Sequence, residues 1–322
     1  MGGDAINDQA METVLTIAMV FPGQGSQSLG MQSDLAAEHP VVQETYAEAS
    51  AILGYDLWQL VQDGPGEKLS ETVVTQPAML AAGTAAFRVW QTAGGAQPSQ
   101  MAGHSLGEYT ALVCAGAVSF ADAMRVVKRR SELMQAAVPV GIGAMAAVLG
   151  LDDETIVSLC DEASTIGVAE PVNFNSPGQV VIAGHATAVS QAVEYAKEHG
   201  ARRAIVLPVS VPSHSSFMRE AGMSLAETLN ATKFQEPRIT VISAASAEPY
   251  TDAADIRNKL SLQVYSPVLW VRTVQAMIAG GDDSIIECGP GKVLAGLIRR
   301  IDKGTPVAFI NDMDSLQKAL QG

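Results

Sequence analysis

Residues 101–107 have the sequence MAGHSLG, which places Ser105 between two glycines in a G-x-S-x-G pattern. Glycines on both sides permit a sharp strand-to-helix turn that exposes a serine hydroxyl in a cleft. We predict a helix at 108–117, whose N-terminus would direct free N–H groups and a positive dipole end at an oxyanion formed on Ser105. A Gly-Ser turn with a capping serine is the alternative. The pattern therefore predicts a serine nucleophile that needs support from the rest of the chain.

The segments on either side of this turn alternate between strand and helix patterns. An apolar run at 17–21 ends in a Pro-Gly loop and is predicted to be a buried strand followed by a helix. Alanine-rich segments at 77–90 and 121–137 have helical periodicity. Further strands, separated by helices, are predicted at 239–243, 284–287 and 307–310. This alternation predicts an α/β fold with a mostly parallel sheet.

Between residues 143 and 210 the pattern changes. Turn residues and periodicity predict a strand, a helix, two strands around Ser176-Pro177-Gly178, a second helix and a final strand. That β-α-β-β-α-β order is typical of ferredoxin-like domains. We therefore expect a discontinuous large domain at 14–140 and 211–322, an inserted small domain at 141–210, and at 1–13 an N-terminus that is disordered or foreign to the natural protein.

Composition and charge exclude several classes of protein. Apolar residues make up 48% of the 322 residues and aromatic residues 5%, which supports a sizeable core packed by aliphatic side chains. A formal net charge of −14 would repel a nucleic-acid backbone, so nucleic acid is not an expected partner. The apolar run at 14–21 is too short to span a membrane and no basic region precedes it, so neither secretion nor membrane insertion is expected.

The cysteines indicate a reducing compartment. Cys114, Cys160 and Cys288 are odd in number, widely spaced and surrounded by apolar residues. This pattern argues against both a disulfide framework and a metal cluster. We therefore expect a cytoplasmic protein without a metal site.

A serine nucleophile needs a base, and histidine is the usual one. Of the five histidines, His104 adjoins the serine, but adjacent residues on a sharp turn usually point apart. His214 follows an apolar strand in the proline-stiffened loop VSVPSH, which can hold an imidazole rigidly, although an incidental loop histidine is the alternative. The remaining three have the features of surface or turn residues: His39, His185 and His199.

Three further motifs accompany the G-x-S-x-G turn in a fixed order. They are FPGQGSQ at 21–27, PVNFNSPGQ at 171–179 and ECGPGK at 287–292. Together with the VSVPSH loop of His214, these motifs resemble the malonyl-CoA:acyl carrier protein transacylase family, from about Thr16 to the final helix. The segment at 244–255 matches least, and no role is assigned to it.

The resemblance implies an α/β-hydrolase-like large domain, a ferredoxin-like small domain and an active site in the cleft between them. It implies that Ser105 is acylated and that His214 is its base. In place of a hydrolase carboxylate, the backbone carbonyl of Gln263 would hold the histidine. The backbone N–H groups of Gln24 and Leu106 would form the oxyanion hole. From the residues alone, a solvent-facing glutamine at 263 and a simple tight turn at 24 are the alternatives.

Arg130 is predicted to lie on or beside the buried stripe of its helix, because it is four positions from both Val126 and Met134. A buried arginine needs an anion. The resemblance supplies the free carboxylate of a malonyl group, which a guanidinium binds at two points. A surface salt bridge is the alternative. Gln76 and Gln179 lie in segments that line the cleft of the family.

The implied reaction transfers malonyl from malonyl-CoA to the phosphopantetheine thiol of acyl carrier protein by a ping-pong mechanism through malonyl-serine. It would supply extender units for type II fatty-acid synthesis, with CoA as product and no tightly bound cofactor. Arg202 and Arg203 are candidates for contact with the acidic carrier or with CoA phosphates, and ordinary solvated arginines are the alternative.

Three other functions share some of these features. A stand-alone acyltransferase that loads a polyketide synthase carrier would use the same residues. A serine esterase or thioesterase would use water as acceptor, but no carboxylate precedes the histidine in an obvious hydrolase position. A non-catalytic carrier-binding scaffold conflicts with the presence of Ser105, His214 and Arg130 together.

Overall fold

The computed structural model describes residues 16–139, 141–209 and 211–321. Its strands form two sheets. In chain order the strands are Ile17–Phe21 (β1), Gln100–Gly103 (β2), Gly143–Leu149 (β3), Ala169–Ser176 (β4), Gln179–His185 (β5), Arg203–Val206 (β6), Thr240–Ile242 (β7), Ser284–Cys288 (β8) and Val307–Ile310 (β9).

Helices cover both sheets. They are Ser33–Glu38 (α1), Val41–Leu53 (α2), Leu57–Asp63 (α3), Gly66–Leu69 (α4), Thr72–Thr92 (α5), Gly107–Cys114 (α6), Phe120–Ala136 (α7), Asp153–Ala163 (α8), Ala186–Glu198 (α9), Arg219–Ala231 (α10), Ala253–Gln263 (α11), Trp270–Ala279 (α12), Val293–Ile301 (α13) and Met313–Leu320 (α14), with a 3-10 turn at Ser216–Met218. Over the described ranges, no helix combines the length and the apolar character needed to cross a membrane.

The first sheet has the order β7-β2-β1-β8-β9, and all its pairings are parallel. Its central strand β1 is buried throughout, as the continuous apolar sequence IAMVF requires of a strand covered on both faces. Phe21 pairs with Gly103, so β1 and β2 end side by side. The loops that leave these two strands, with Gln24 and Ser105, therefore start at the same edge of the sheet.

The second sheet is antiparallel and has the order β4-β5-β3-β6. Helices α8 and α9 pack on it around a core of small aliphatic residues such as Ala146, Val180 and Ala192. Backbone hydrogen bonds also join this sheet to the segment before α12: Phe174 N–H donates to the Val268 carbonyl at 2.9 Å. The predicted fold class, an α/β protein with a parallel sheet and a small ferredoxin-like β-α-β-β-α-β unit, is confirmed.

The elements of the second sheet run from Gly143 to Val206, between the two chain segments that build the first sheet. The predicted boundaries at 140/141 and 210/211 each include a residue outside the described part of the chain, Val140 and Ser210. The predicted N-terminal segment 1–13 also lies outside the described residues.

Helix α5 begins earlier than its sequence suggests. The alanine-rich periodicity predicts a helix from Pro77, whereas the helix begins at Thr72 and contains Pro77. An interior proline costs about 3 kcal/mol. Leu80, Phe87 and Trp90 are all buried in α5, and burial of each such side chain contributes about 1.5 to 3 kcal/mol, so packing outweighs the proline.

Candidate active site

Ser105 occupies the turn between β2 and α6 in a left-handed backbone conformation, with φ at 52°. The turn is tightly packed on both sides of the serine. A Cβ on Gly103 would lie 1.9 Å from the carbonyl carbon of Gly107, and a Cβ on Gly107 would lie 2.0 Å from the carbonyl oxygen of Phe21. Only glycine fits at either position, so the G-x-S-x-G spacing is a steric requirement of this turn.

His214 faces the serine from the loop after the second sheet. Its Nε2 lies 2.7 Å from Ser105 Oγ, and its Nδ1 lies 2.8 Å from the backbone carbonyl oxygen of Gln263. A carbonyl only accepts hydrogen bonds, so Nδ1 carries the proton and the Nε2 lone pair faces the serine hydroxyl. This is the tautomer that a general base needs.

The electrostatic setting of His214 favours the neutral imidazole. Burial, together with the positive charge of Arg130, lowers its pKa from 6.5 to about 3, and the hydrogen bond to Gln263 opposes this shift. The imidazole of His214 is therefore unprotonated at neutral pH and able to accept a proton.

We expect His214 to reduce the free energy of unfolding in acid. Below the ordinary pKa of 6.5 the unfolded chain takes up a proton, whereas the folded imidazole stays neutral down to about 3. Stability that is present above pH 6.5 is therefore lost as the pH falls toward 3. Relative to His214→Asn, which does not titrate, the wild type should lose roughly 2 to 3 kcal/mol more between about pH 7 and about pH 4.5. Urea unfolding of both proteins measures this difference, and equal losses would contradict a neutral buried imidazole.

Gln24 and Leu106 are the residues predicted to form the oxyanion hole. Gln24 follows β1, Leu106 precedes α6, and both residues line the cavity that contains Ser105. Within the described part of the chain, neither backbone N–H donates a hydrogen bond. Both N–H groups are therefore available to an incoming acceptor, as the predicted oxyanion hole requires.

Arg130 lies on the buried face of α7, with only 1% of its surface exposed. Nη1 donates to Gln76 Oε1 at 2.5 Å, and Nη2 donates to Gln263 Oε1 at 3.1 Å and is 3.4 Å from Ser105 Oγ. All these partners are neutral. Among the described residues no carboxylate forms an ion pair with Arg130, and its Nε has no acceptor. Burial lowers its pKa, but guanidinium is basic enough to stay charged. A buried cation with free donors is a binding site for an anion.

Sequence reasoning named Gln263 for its backbone carbonyl only, and it missed Glu108 and Tyr250, which support the Gln263 side chain. Gln263 is fully buried, and its side-chain nitrogen donates to the Ser105 carbonyl at 2.8 Å and to Glu108 Oε2 at 2.6 Å. Tyr250 donates its hydroxyl to Glu108 Oε1 at 2.5 Å. Tyr250 belongs to the segment 244–255, to which the sequence assigned no role. The only local signal was a glutamate directly after the G-x-S-x-G motif.

A cavity of about 1030 Å³ connects these groups and lies between the two sheets. Gln76 and Gln179 both line it; Gln76 is buried beside Arg130, whereas Gln179 accepts a hydrogen bond from Arg300 at its exposed rim. Arg202 and Arg203 are exposed and do not line this cavity. Arg202 borders a shallow depression beside Asp152 instead.

His104 points away from the serine. Its Nε2 lies 2.8 Å from Asn175 Oδ1 in β4, and its ring packs edge-on against Trp270. Burial lowers its pKa. His104 therefore connects the serine turn to the second sheet, and His214 is the histidine that meets Ser105.

A serine on a strand-to-helix turn, a histidine facing it and a cleft between two sheets together define an acyltransferase of α/β architecture. The family model of the acyl transferase domain matches residues 18–314. The malonyl CoA-acyl carrier protein transacylase of Escherichia coli (strain K12) is 52% identical over 304 residues, which are 94% of this chain and 98% of that protein.

Solved structures agree with this relationship. An acyl carrier protein S-malonyltransferase from Vibrio cholerae O1 biovar eltor is 53% identical with a TM-score of 0.91, covering 94% of this chain and 99% of the other. A malonyl-transacylase in complex with its type II PKS acyl-carrier protein is 51% identical with a TM-score of 0.94, covering 95% and 99%. The chain belongs to the malonyl-CoA:acyl carrier protein transacylase family, which confirms the resemblance found in its motifs.

Proposed function

We propose that this protein transfers a malonyl group from malonyl-CoA to the phosphopantetheine thiol of acyl carrier protein, through a malonyl ester on Ser105. The observation that supports this function most directly is the buried guanidinium of Arg130, which has no direct ion-pair partner among the described residues and whose Nη2 lies 3.4 Å from Ser105 Oγ. An uncharged acyl group has no use for such a charge, whereas a malonyl group has a free carboxylate at the matching end.

The first half-reaction forms the acyl-enzyme. Ser105 Oγ attacks the thioester carbonyl carbon while His214 Nε2 takes its proton. The backbone N–H groups of Gln24 and Leu106 donate hydrogen bonds to the carbonyl oxygen as it becomes negatively charged. The C–S bond then breaks, and the proton on His214 passes to the sulfur of the departing CoA. Arg130 holds the malonyl carboxylate at the far end of the pocket.

The second half-reaction reverses these roles with a different thiol. His214 takes the proton of the carrier-bound phosphopantetheine thiol, whose sulfur attacks the malonyl ester. The C–O bond to Ser105 breaks, and the serine recovers the proton from His214. Because CoA leaves before the carrier thiol arrives, the kinetics are ping-pong.

This chemistry needs only the serine, the histidine and the oxyanion donors, so the proposal includes no resident cofactor or metal. The free thiols of Cys114, Cys160 and Cys288 fit a cytoplasmic location. Arg202 and Arg203 remain candidates for a surface contact with the acidic carrier, outside the cavity. The proposed role is supply of extender units for type II fatty-acid synthesis.

The test is incubation with malonyl-CoA and a purified phosphopantetheine-bearing carrier, followed by intact mass measurement of both proteins. We expect one malonyl group first on the enzyme and then on the carrier. Parallel reactions with a fatty-acid carrier and a type II polyketide carrier distinguish the two carrier classes, because one relative was solved with a polyketide carrier. Release of free malonate without formation of malonylated carrier would identify a thioesterase instead.

We expect Arg130→Ala to invert the acyl preference. An unpaired malonyl carboxylate in the buried pocket should cost roughly 2 to 5 kcal/mol, or on the order of 30- to several-thousand-fold in malonyl transfer. Acetyl has no carboxylate, so acetyl transfer should be retained or raised. The measurement is kcat/KM for malonyl-CoA and acetyl-CoA in wild type and variant.

Arg130→Lys is the matched control for the charge. It should rescue malonyl transfer poorly, because an ammonium on a flexible stem does not reproduce the two-point contact of a guanidinium. If kcat/KM for malonyl-CoA and for acetyl-CoA fall by the same factor in Arg130→Ala, Arg130 supports the fold and another residue binds the carboxylate.

A further inference from the structure

The side-chain amide of Gln263 links the anion site to the nucleophile turn. Its Oε1 accepts from Arg130 Nη2 at 3.1 Å, and its Nε2 donates to the Ser105 carbonyl at 2.8 Å and to Glu108 Oε2 at 2.6 Å. Both hydrogens of the amide nitrogen are therefore used, and the amide oxygen faces the guanidinium. This network is separate from the backbone carbonyl of Gln263 that holds His214.

An amide at this position suits Arg130 better than a carboxylate would. A carboxylate would form an ion pair with the guanidinium and compete with the substrate carboxylate for it. The neutral oxygen of Gln263 orients Nη2 and leaves the positive charge uncompensated by direct contact. Gln76 does the same for Nη1, at 2.5 Å. Two neutral acceptors thus fix the plane of the guanidinium without occupying all its donors.

The Gln263 side chain needs an anchor of its own, because an amide with a free rotamer would not hold Arg130 in place. Glu108 provides this anchor from the first turn of α6, where it is fully buried. The other oxygen of Glu108 accepts from Tyr250, which fixes the carboxylate from the opposite side. Burial raises the pKa of Glu108, and hydrogen bonds from Tyr250 and Gln263 counteract that effect.

We propose that Glu108 is a positioning residue for acyl selectivity: as a hydrogen-bond acceptor it holds the Gln263 amide, and through that amide it orients Arg130 toward the acyl carboxylate. This inference rests on the proposed malonyl transfer. It assigns Glu108 no contact with the substrate and no proton transfer. The effect of Glu108 is therefore on the preference for a charged acyl group over an uncharged one.

The experiment compares Glu108→Gln with Glu108→Met. Both variants remove the negative charge and keep a side chain of similar length, but only glutamine retains an oxygen that accepts from Gln263 Nε2. Second-order rate constants of acyl-enzyme formation are measured with malonyl-CoA and with acetyl-CoA. We expect the malonyl-to-acetyl ratio of Glu108→Met to fall at least about tenfold below that of Glu108→Gln, the loss expected for one buried hydrogen bond.

Coupling to Arg130 is tested by repeating the pair in an Arg130→Ala background. In that background the malonyl-to-acetyl ratios of Glu108→Gln and Glu108→Met should be equal. Substitutions at residues that act through one another do not have additive effects. Equal ratios in the two single variants would overturn the proposal, as would a difference that persists without Arg130. A purely structural role would lower the melting temperature and reduce both rates by the same factor, which also overturns it.

Glu108→Asp provides the same test if Glu108→Met does not fold. Aspartate keeps the charge and the acceptor but is one methylene too short to reach Gln263, so its ratio should also fall below that of Glu108→Gln. If Glu108→Asp has the same malonyl-to-acetyl ratio as Glu108→Gln, the proposal is overturned. Wild-type protein that transfers no malonyl would instead refute the proposed function, so the two failures are distinguishable.

Discussion

Ser105→Ala is expected to abolish the covalent malonyl-enzyme. Ser105 Oγ is the group that His214 Nε2 meets at 2.7 Å. The cysteine thiols offer no substitute, because burial raises the pKa of Cys160 to about 12 and raises those of Cys114 and Cys288 as well. Thiols with raised pKa values are poor nucleophiles at neutral pH. Intact mass measurement after incubation with malonyl-CoA should show the unmodified mass.

Binding of malonyl-CoA to Ser105→Ala serves as the control for folding. Alanine at φ 52° meets the same backbone strain as serine, so the turn should keep its shape. Arg130 and the cavity are unchanged, and calorimetric binding of malonyl-CoA should therefore persist without acylation. A Ser105→Ala protein that still gains a malonyl group would end the serine hypothesis.

His214→Ala is expected to slow acylation by about 10²- to 10⁴-fold, the usual contribution of a general base. Some acylation activity should remain, because the oxyanion donors and the anion site still position the thioester. Rapid-quench measurement of acyl-enzyme formation gives this rate directly.

His104→Ala is the matched control for His214→Ala. Its imidazole bonds to Asn175 rather than to Ser105, so acylation should slow by much less than in His214→Ala. Acylation near the wild-type rate in His214→Ala, together with a large loss in His104→Ala, would show that His104 is the base.

Much of the fold was predictable because its signals are local. The strand at Ile17–Phe21 and the strand at Val307–Ile310 have the predicted bounds, since each is a short apolar run between turn residues. The two strands around Ser176-Pro177-Gly178 were likewise visible from the turn. The order of the strands within the sheets was not readable from these runs, and it is given by the structure.

The supporting contacts of the site were not predictable, because they join residues far apart in sequence. Gln263 and Glu108 are separated by 155 positions, and Tyr250 and Glu108 by 142. Neither periodicity nor spacing indicates that a glutamine at a helix end will turn inward to meet a buried glutamate. The resemblance identified the Gln263 carbonyl, whereas the role of its side chain depends on the folded geometry.

Ser105 and His214 share one further feature, a left-handed backbone conformation with φ at 52° and 67°. For residues other than glycine, that conformation lowers the free energy of unfolding by about 1 to 2 kcal/mol. Glycine would relieve that strain at either position, but it would remove the proposed nucleophile or the proposed base. The two positions are therefore sites of a stability–activity trade-off, where the backbone holds a strained conformation because the proposed reaction needs the side chain.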